Sequence, residues 1–273
     1  MKTLYLSDLD GTLLGHNQRM SQFTKQTVNN FVAGGGLFSY ATARSIVTAS
    51  KVTEGLNTGL PLICNDGAVI LDAEGKKVLK IHNFSKQEIA QITNIFAQYD
   101  FYPIVCAYID GRERLSYIKR GMSAGMSNFI DERIDDVRLR VVEEAHDLYC
   151  GDIFNIYFIR DNKDELATKY EFFIHNKPFH VILQLDVYHN YWFFVILPAA
   201  ASKATAALEL KKLLGCERLV VFGDGANDIS MFKVADESYA MTNAVDELKE
   251  IATAVIESNE EDGVAKWIAK NLM

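Results

Sequence analysis

The 273-residue sequence holds only four cysteines, Cys64, Cys106, Cys150 and Cys216. They are scattered, with no CxxC pair and no histidine at zinc-finger spacing, so neither a disulfide framework nor a zinc module is expected. Each reads as a small apolar side chain of the interior. Long apolar runs are also missing, and none approaches the roughly 18 residues that a membrane span requires. The first six residues lead straight to Ser7 and Asp8, too early for the apolar segment of a secretory signal. A cytoplasmic address is therefore expected. Basic charge is in deficit: 28 lysines and arginines face 36 aspartates and glutamates, a formal net charge of -8. This balance disfavours duplex nucleic acid, which needs a clustered basic face. It does not disfavour phosphorylated metabolites, because a metal ion and a few placed cations can overcome a mildly acidic background.

What is present is apolar bulk, 49% of the residues, enough for one large domain or two smaller ones at roughly 100–200 residues each. Residues 4–9 form a short apolar run ending in acidic residues, which predicts a buried strand entering a functional loop. Ser21 can cap a helix that the three glycines at 34–36 stop. Strands are expected at 37–41 and 62–64, with a helix over 46–56 between them, and this alternation implies βαβ units and a parallel sheet. Near residue 82 the pattern changes. A turn at 74–76 leads into a hairpin strand over 78–84, and Ser85 with Glu88 is a capping box for a helix through Phe96. Asp110-Gly111 is the turn chemistry of a hairpin joining 101–109 to 115–119. A strand over 153–159, a helix over 163–175 and a hairpin of 179–187 with 191–197 complete an α+β stretch. After Pro198 the βα alternation returns: helix 202–214, strand 218–222, helix 229–235, strand 239–241, then helices 244–254 and 262–272. No repeat or long linker interrupts it. The expected organisation is a discontinuous α/β core, 1–82 with 193–273, carrying an inserted domain at 83–192.

Three constellations fall at the carboxyl ends of expected parallel strands, where open α/β sheets place their ligands. In Asp8-Leu9-Asp10-Gly11-Thr12, two carboxylates one residue apart can divide the work. One attacks phosphorus; the other protonates the leaving oxygen and then activates water. Gly11 permits the tight turn that close approach to a phosphate requires. An ordinary Asp-Gly turn with one capping aspartate is the competing reading. Gly223-Asp224-Gly225-Ala226-Asn227-Asp228 offers hard oxygen ligands on a flexible loop, suited to Mg²⁺, though it can also start a helix. Thr42 and Lys203 supply a hydroxyl and a fixed cation for the oxygens of a transferring phosphoryl group, although for either one alone the surface-residue reading wins.

In this order, together with Ala41-Thr42-Ala43-Arg44 and Ser202-Lys203, the motifs closely resemble the haloacid dehalogenase-like (HAD) hydrolase superfamily and, within it, the Cof-type branch, subfamily IIB. Asn65-Asp66-Gly67-Ala68, Asn243-Ala244 and Asp262-Gly263-Val264-Ala265 add to the likeness. The resemblance covers essentially the whole chain, more weakly in the insertion. It implies a Rossmann-like α/β core with an α+β cap of type 2B between the second and third motifs. It also implies a Mg²⁺-dependent phosphatase of small phosphate monoesters, with sugar phosphates, pyridoxal phosphate and flavin precursors among the substrates of similar proteins. By the same resemblance Asp8 is the nucleophile that forms an aspartyl-phosphate, and also a metal ligand. Asp10 is the general acid/base, its backbone carbonyl on the metal. Thr42, Lys203 and Asn227 contact the phosphoryl group, with Gly11 and Arg44 beside them. Asp224 is a direct metal ligand and Asp228 a more distant one.

Two positions depart from the family pattern: Ala43 where glycine is usual, and Ala200-Ala201 where Gly-Val precedes Ser-Lys. Both leave the reactive groups intact and bear on local backbone shape. A phosphomutase or phosphotransferase on the same scaffold would use the same residues. A non-catalytic phosphate-responsive regulator is a further alternative, and Asp10 and the cap argue against a receiver domain. The aromatic side chains of the insertion, Tyr99, Phe101, Tyr102, Tyr108, Tyr117, Tyr157, Phe158, Tyr188, Tyr191 and Trp192, fit core packing or a stacking site. Arg112, Arg114, Lys119 and Arg120 fit a solvated face or a contact with a second anionic group. A monomer or weak dimer is compatible with this chain.

Overall fold

Leu4 and Leu6, both fully buried, anchor the first strand, β1 (Thr3–Ser7), in a computed structural model that describes residues 1–97, 102–176, 179–186 and 189–273. Helix α1 (Gln22–Ala33) starts where the Ser21 hydroxyl accepts from the Thr24 amide and stops at Gly34. It leads to β2 (Leu37–Tyr40), parallel to β1. Helix α2 (Ile46–Val52) ends at Thr53, short of the expected residue 56. The next strand corrects an expectation. β3 (Leu62–Cys64) touches the parallel sheet only through a bridge from Ile63 to Ala41. Its ladder is antiparallel, with β4 (Val69–Leu71) and then β5 (Val78–Ile81), in a separate three-stranded sheet.

The chain then builds a second compact unit, His82–Ala200. Its first helix, α3 (Lys86–Phe96), carries the reciprocal capping box of Ser85 and Glu88. Strands β6 (Ile104–Ile109) and β7 (Arg112–Tyr117) pair across Asp110 and Gly111, whose φ values of 50° and 73° suit a tight two-residue hairpin turn. Helix α4 (Ala124–Asp131), capped by Ser123, and the short β8 (Leu139–Val141) follow. Strand β9 (Asp152–Arg160) precedes α5 (Asp164–Asn176), β10 (His180–Leu185) and β11 (Trp192–Leu197). The six strands order as β10-β11-β9-β6-β7-β8. Phe96, Phe158, Phe173 and Phe194 interlock in its core, with Phe96 and Phe158 ring centroids 4.5 Å apart. Because β11 is a strand of this sheet, residues 193–200 belong to the second unit, and the boundary expected at 193 moves to 201. Tyr157, Phe158 and Tyr117 are buried, as core packing requires. Arg120 lies over the Tyr102 ring and bonds its hydroxyl. Tyr99, Phe101 and Tyr188 lie outside the described residues.

The chain returns to the first unit with α6 (Lys203–Leu213), β12 (Arg218–Gly223), α7 (Ile229–Phe232), β13 (Glu237–Met241), α8 (Asp246–Ile251), β14 (Ala254–Ile256) and α9 (Gly263–Leu272). The parallel sheet runs β14-β13-β12-β1-β2. From β1 the chain crosses outward to β2, and from β12 it crosses the opposite way to β13. The strand order therefore reverses between β1 and β12, and a crevice opens at their carboxyl ends. Among the described residues no helix is long and apolar enough to cross a membrane.

Phe158 is fully buried at the centre of the second unit's core. Phe158→Ala is expected to destabilise that unit by about 3–5 kcal/mol, measured as a lowered denaturation midpoint followed by the aromatic circular dichroism signal.

Candidate active site

The crevice between β1 and β12 collects acidic side chains. Asp8 follows β1 directly and its amide donates to the Phe222 carbonyl at 3.0 Å, which locks it beside the end of β12. Carboxylate oxygens of Asp8, Asp224 and Asp228 lie within 4.8 Å of one another, all three side chains buried. Lys203 enters from the first turn of α6, where Ser202 accepts from the Thr205 amide. Its Nζ donates to Asp8 Oδ1 and to Asp228 Oδ1, each at 2.7 Å, and the side chain is wholly enclosed.

Close packing at glycines makes this convergence possible. A Cβ on Gly11, whose φ is 75°, would lie 2.1 Å from Asp224 Oδ2. One on Gly67, at φ 89°, would lie 2.1 Å from the Ser202 carbonyl oxygen and push away the start of α6. Asp228 is held by both oxygens: Oδ2 accepts from the Asp224 and Gly225 amides at 3.0 Å while Oδ1 takes Lys203. Thr12 donates to Asp224 Oδ1 at 2.6 Å. Asn227 donates its amide to Asp66 Oδ1 at 2.9 Å. Thr42 is fully buried; its hydroxyl oxygen accepts from the Arg44 amide at 3.1 Å, leaving its own O–H to donate.

Asp10 stands apart from the three clustered carboxylates. Arg44 grips it with two bonds, Nε to Oδ2 at 2.7 Å and Nη2 to Oδ1 at 2.6 Å, and Nη2 also donates to Gln18. The guanidinium expected beside a phosphoryl group is thus matched to a carboxylate, the bidentate geometry arginine favours. Thr12, Gln18 and Asp66 were not singled out from the sequence. Thr12 and Asp66 sit inside recognised motifs, whereas nothing in the local sequence marks Gln18.

The clustered carboxylates of Asp8, Asp224 and Asp228, with buried Asp66 nearby, outnumber the one buried ammonium, so full ionisation would leave negative charge in excess. Burial pushes the Asp8 carboxyl well above its ordinary range; Lys203 opposes this, while Asp228, Asp224 and Asp10 reinforce it. Asp224 is pushed up to about 7 by burial and then by Asp228, against the bonds of Thr12 and the charge of Lys203. Burial would lower Lys203, but Asp228, Asp8 and Asp66 outweigh it and raise its pKa. Buried charges are stable when paired or bound to metal, and an all-oxygen donor set carrying this excess fits a hard divalent cation. Asp8 and Asp224 are the carboxylates best able to hold it, since both Asp228 oxygens already accept bonds from the protein.

An α/β sheet with a lysine-bridged acidic cluster at its switch point defines a class of site suited to phosphoryl groups. Comparison with known proteins agrees. A model of the haloacid dehalogenase-like hydrolases matches residues 5–268. The 5-amino-6-(5-phospho-D-ribitylamino)uracil phosphatase YwtE of Bacillus subtilis is 27% identical, covering 96% of this chain and 95% of its own. A haloacid dehalogenase-like hydrolase structure from B. subtilis superposes with a TM-score of 0.80 at 23% identity, covering 100% of both chains. The structure of a HAD subclass IIB sugar phosphatase gives a TM-score of 0.73 at 18% identity, covering 99% and 98% of the two chains. The chain belongs to the haloacid dehalogenase-like hydrolases. The family generally uses a metal ion, which accords with the buried aspartate cluster.

The raised carboxyls make a pH prediction. Asp224 titrates near 7 when folded against 3.8 for a free carboxyl, so the folded state holds its proton to higher pH. That contribution to stability is complete below about pH 4 and is lost as pH rises towards about 7. With chelator present, the melting temperature should therefore fall between about pH 5 and about pH 7.5. A saturating divalent cation should oppose the fall by binding the ionised carboxylates. A melting temperature indifferent to cation at the upper pH would contradict the metal assignment.

Proposed function

We propose that the chain is a Mg²⁺-dependent phosphatase of small phosphate monoesters, sugar phosphates or phosphorylated cofactors, working through an aspartyl-phosphate on Asp8. The observation that carries this reading is the Lys203 bridge between Asp8 and Asp228 inside a buried cluster whose carboxylates outnumber its ammonium. Lys203 favours an ionised Asp8 against the burial that disfavours it, and an ionised carboxylate is the nucleophile the reaction needs. The names of the relatives, a phosphoribitylaminouracil phosphatase and a sugar phosphatase, support the substrate classes.

In this mechanism an oxygen of Asp8 attacks phosphorus, the ester P–O bond breaks, and Asp10 gives its proton to the leaving oxygen. Asp10 then takes a proton from water, whose oxygen attacks the same phosphorus and releases Asp8 and inorganic phosphate. Thr42 O–H, Lys203 Nζ and the Asn227 amide are the donors for the phosphoryl oxygens. Asp8, Asp224 and the Asp10 carbonyl, with Asp228 behind them, would hold the metal, which would supply charge compensation between carboxylate and phosphate. Arg44 offsets the charge that Asp10 carries after its proton has gone to the leaving group. The unit His82–Ala200 acts as the cap that selects substrate and excludes water.

Phosphate release should be measured across a panel of sugar phosphates, pyridoxal phosphate and 5-amino-6-(5-phospho-D-ribitylamino)uracil, with Mg²⁺. Asp8→Asn and Asp10→Asn should each abolish turnover while the circular dichroism spectrum is unchanged, and chelation should silence the native enzyme. An active Asp8→Asn protein would sink the mechanism, and a sugar phosphate isomerised without phosphate release would point to mutase chemistry.

A further inference from the structure

Three consecutive residues after β3 carry positive φ: Asn65 at 51°, Asp66 at 52° and Gly67 at 89°. Two successive non-glycine residues in the left-handed region form a costly backbone that persists only where its surroundings impose it. Here they do. The Asn65 amide donates to the Arg44 carbonyl and the Asp66 amide to the Thr42 carbonyl, each at 3.0 Å, and Gly67 lies against Ser202 at the start of α6. The turn therefore ties the segment carrying Thr42 to the helix carrying Lys203. At its centre the buried Asp66 carboxylate receives the Asn227 amide at 2.9 Å.

An asparagine amide presents either two N–H donors or a carbonyl acceptor, and only the network around it decides which end faces a ligand. A carboxylate accepts and cannot donate, so Asp66 selects the nitrogen. One Asn227 N–H goes to Asp66, and the second is left for an oxygen anion. A flipped amide would present its carbonyl to the phosphate and repel it. We propose that Asp66 is a positioning residue for phosphoryl binding, orienting Asn227 as a donor from the strained turn Asn65-Asp66-Gly67. This rests on the reading of Asn227 as a phosphoryl contact.

The test is a double-mutant cycle read by turnover of an aryl phosphate and by competitive inhibition with inorganic phosphate. Asp66→Gly removes the carboxylate without adding strain, because glycine accepts this φ freely. Asp66→Asn keeps a carbonyl acceptor and also tolerates the left-handed region. Asp66→Gly should lower kcat/KM and weaken phosphate inhibition about tenfold or more, and Asp66→Asn, which offers an acceptor but no longer excludes the flipped amide, should lose less than Asp66→Gly. In an Asn227→Ala background, Asp66→Gly should add nothing further. Losses that multiply in the double variant would overturn the coupling. So would an Asp66→Asn loss that persists undiminished in the Asn227→Ala background, since charge rather than the orientation of Asn227 would then be the cause; that cycle keeps the test open on its own if the glycine protein is too unstable to assay. Native kinetics in Asn227→Ala alone would instead overturn the assignment of Asn227 beneath the inference.

Discussion

Lys203 is a fully enclosed ammonium 2.7 Å from two carboxylates, and much of the first unit is arranged to make that enclosure possible. An isolated charge in the interior is strongly disfavoured, and removing one partner of a buried pair leaves the other uncompensated. The bridge joins residues 195 and 25 positions apart in sequence. It therefore requires β1 and β12 to lie side by side and α6 to begin beside both. The parallel register of Ser7 with Phe222 supplies the first condition. The second depends on Ser202 capping α6 and on the missing side chain of Gly67, which admits the Ser202 carbonyl. Neither glycine nor serine takes part in chemistry; both decide where the ammonium sits.

The fold was most legible where one local rule acts alone. Leu4 and Leu6 flag a buried strand, Ser21 and Gly34 delimit α1, Ser85 with Glu88 starts α3, and Asp110-Gly111 makes a hairpin. It was least legible where pairing partners decide. The helix expected over 244–254 stops at Ile251: Ala252 is extended and the Thr253 amide donates to the Ser238 carbonyl, so the chain goes on as the edge strand β14. Helix α4 contains glycine, serine and asparagine, weak helix formers, and forms against β9 with Ser123 as its cap. The apolar triplet of β3 is the same whether its partner is parallel or antiparallel, and periodicity cannot separate the two.

The candidate site was legible as a set of reactive residue types because open α/β sheets concentrate them at strand ends. Its connections were less so. That Thr12 rather than solvent faces Asp224, or that Asp66 takes the Asn227 amide, follows from loop conformations with positive φ that a motif does not specify. Arg44 is the clearest instance. Placed two residues after Thr42, it could serve an incoming anion or a resident one, and the bend of the Asp10 segment through Gly11 brings the resident one within reach.

This division of charges separates two demands that conflict within one cluster. A nucleophilic carboxylate benefits from enclosure and from a fixed cation, since water would otherwise solvate it. A carboxylate that gains and loses a proton in every cycle benefits from contact with water and from a partner that is not shared with the nucleophile. Asp8 has the first environment, through Lys203. Asp10 has the second: its side chain is 23% exposed and its charge is matched by Arg44. Because Arg44 offsets Asp10 locally, the uncompensated negative charge of the ionised site lies with the buried carboxylates around Lys203. A divalent cation there compensates the protein, but an entering phosphate dianion restores the deficit. In the proposed mechanism the remaining donors, Thr42 and Asn227, would meet the phosphoryl oxygens with oriented dipoles, and the orientation of a neutral amide would then carry weight in a site dominated by full charges.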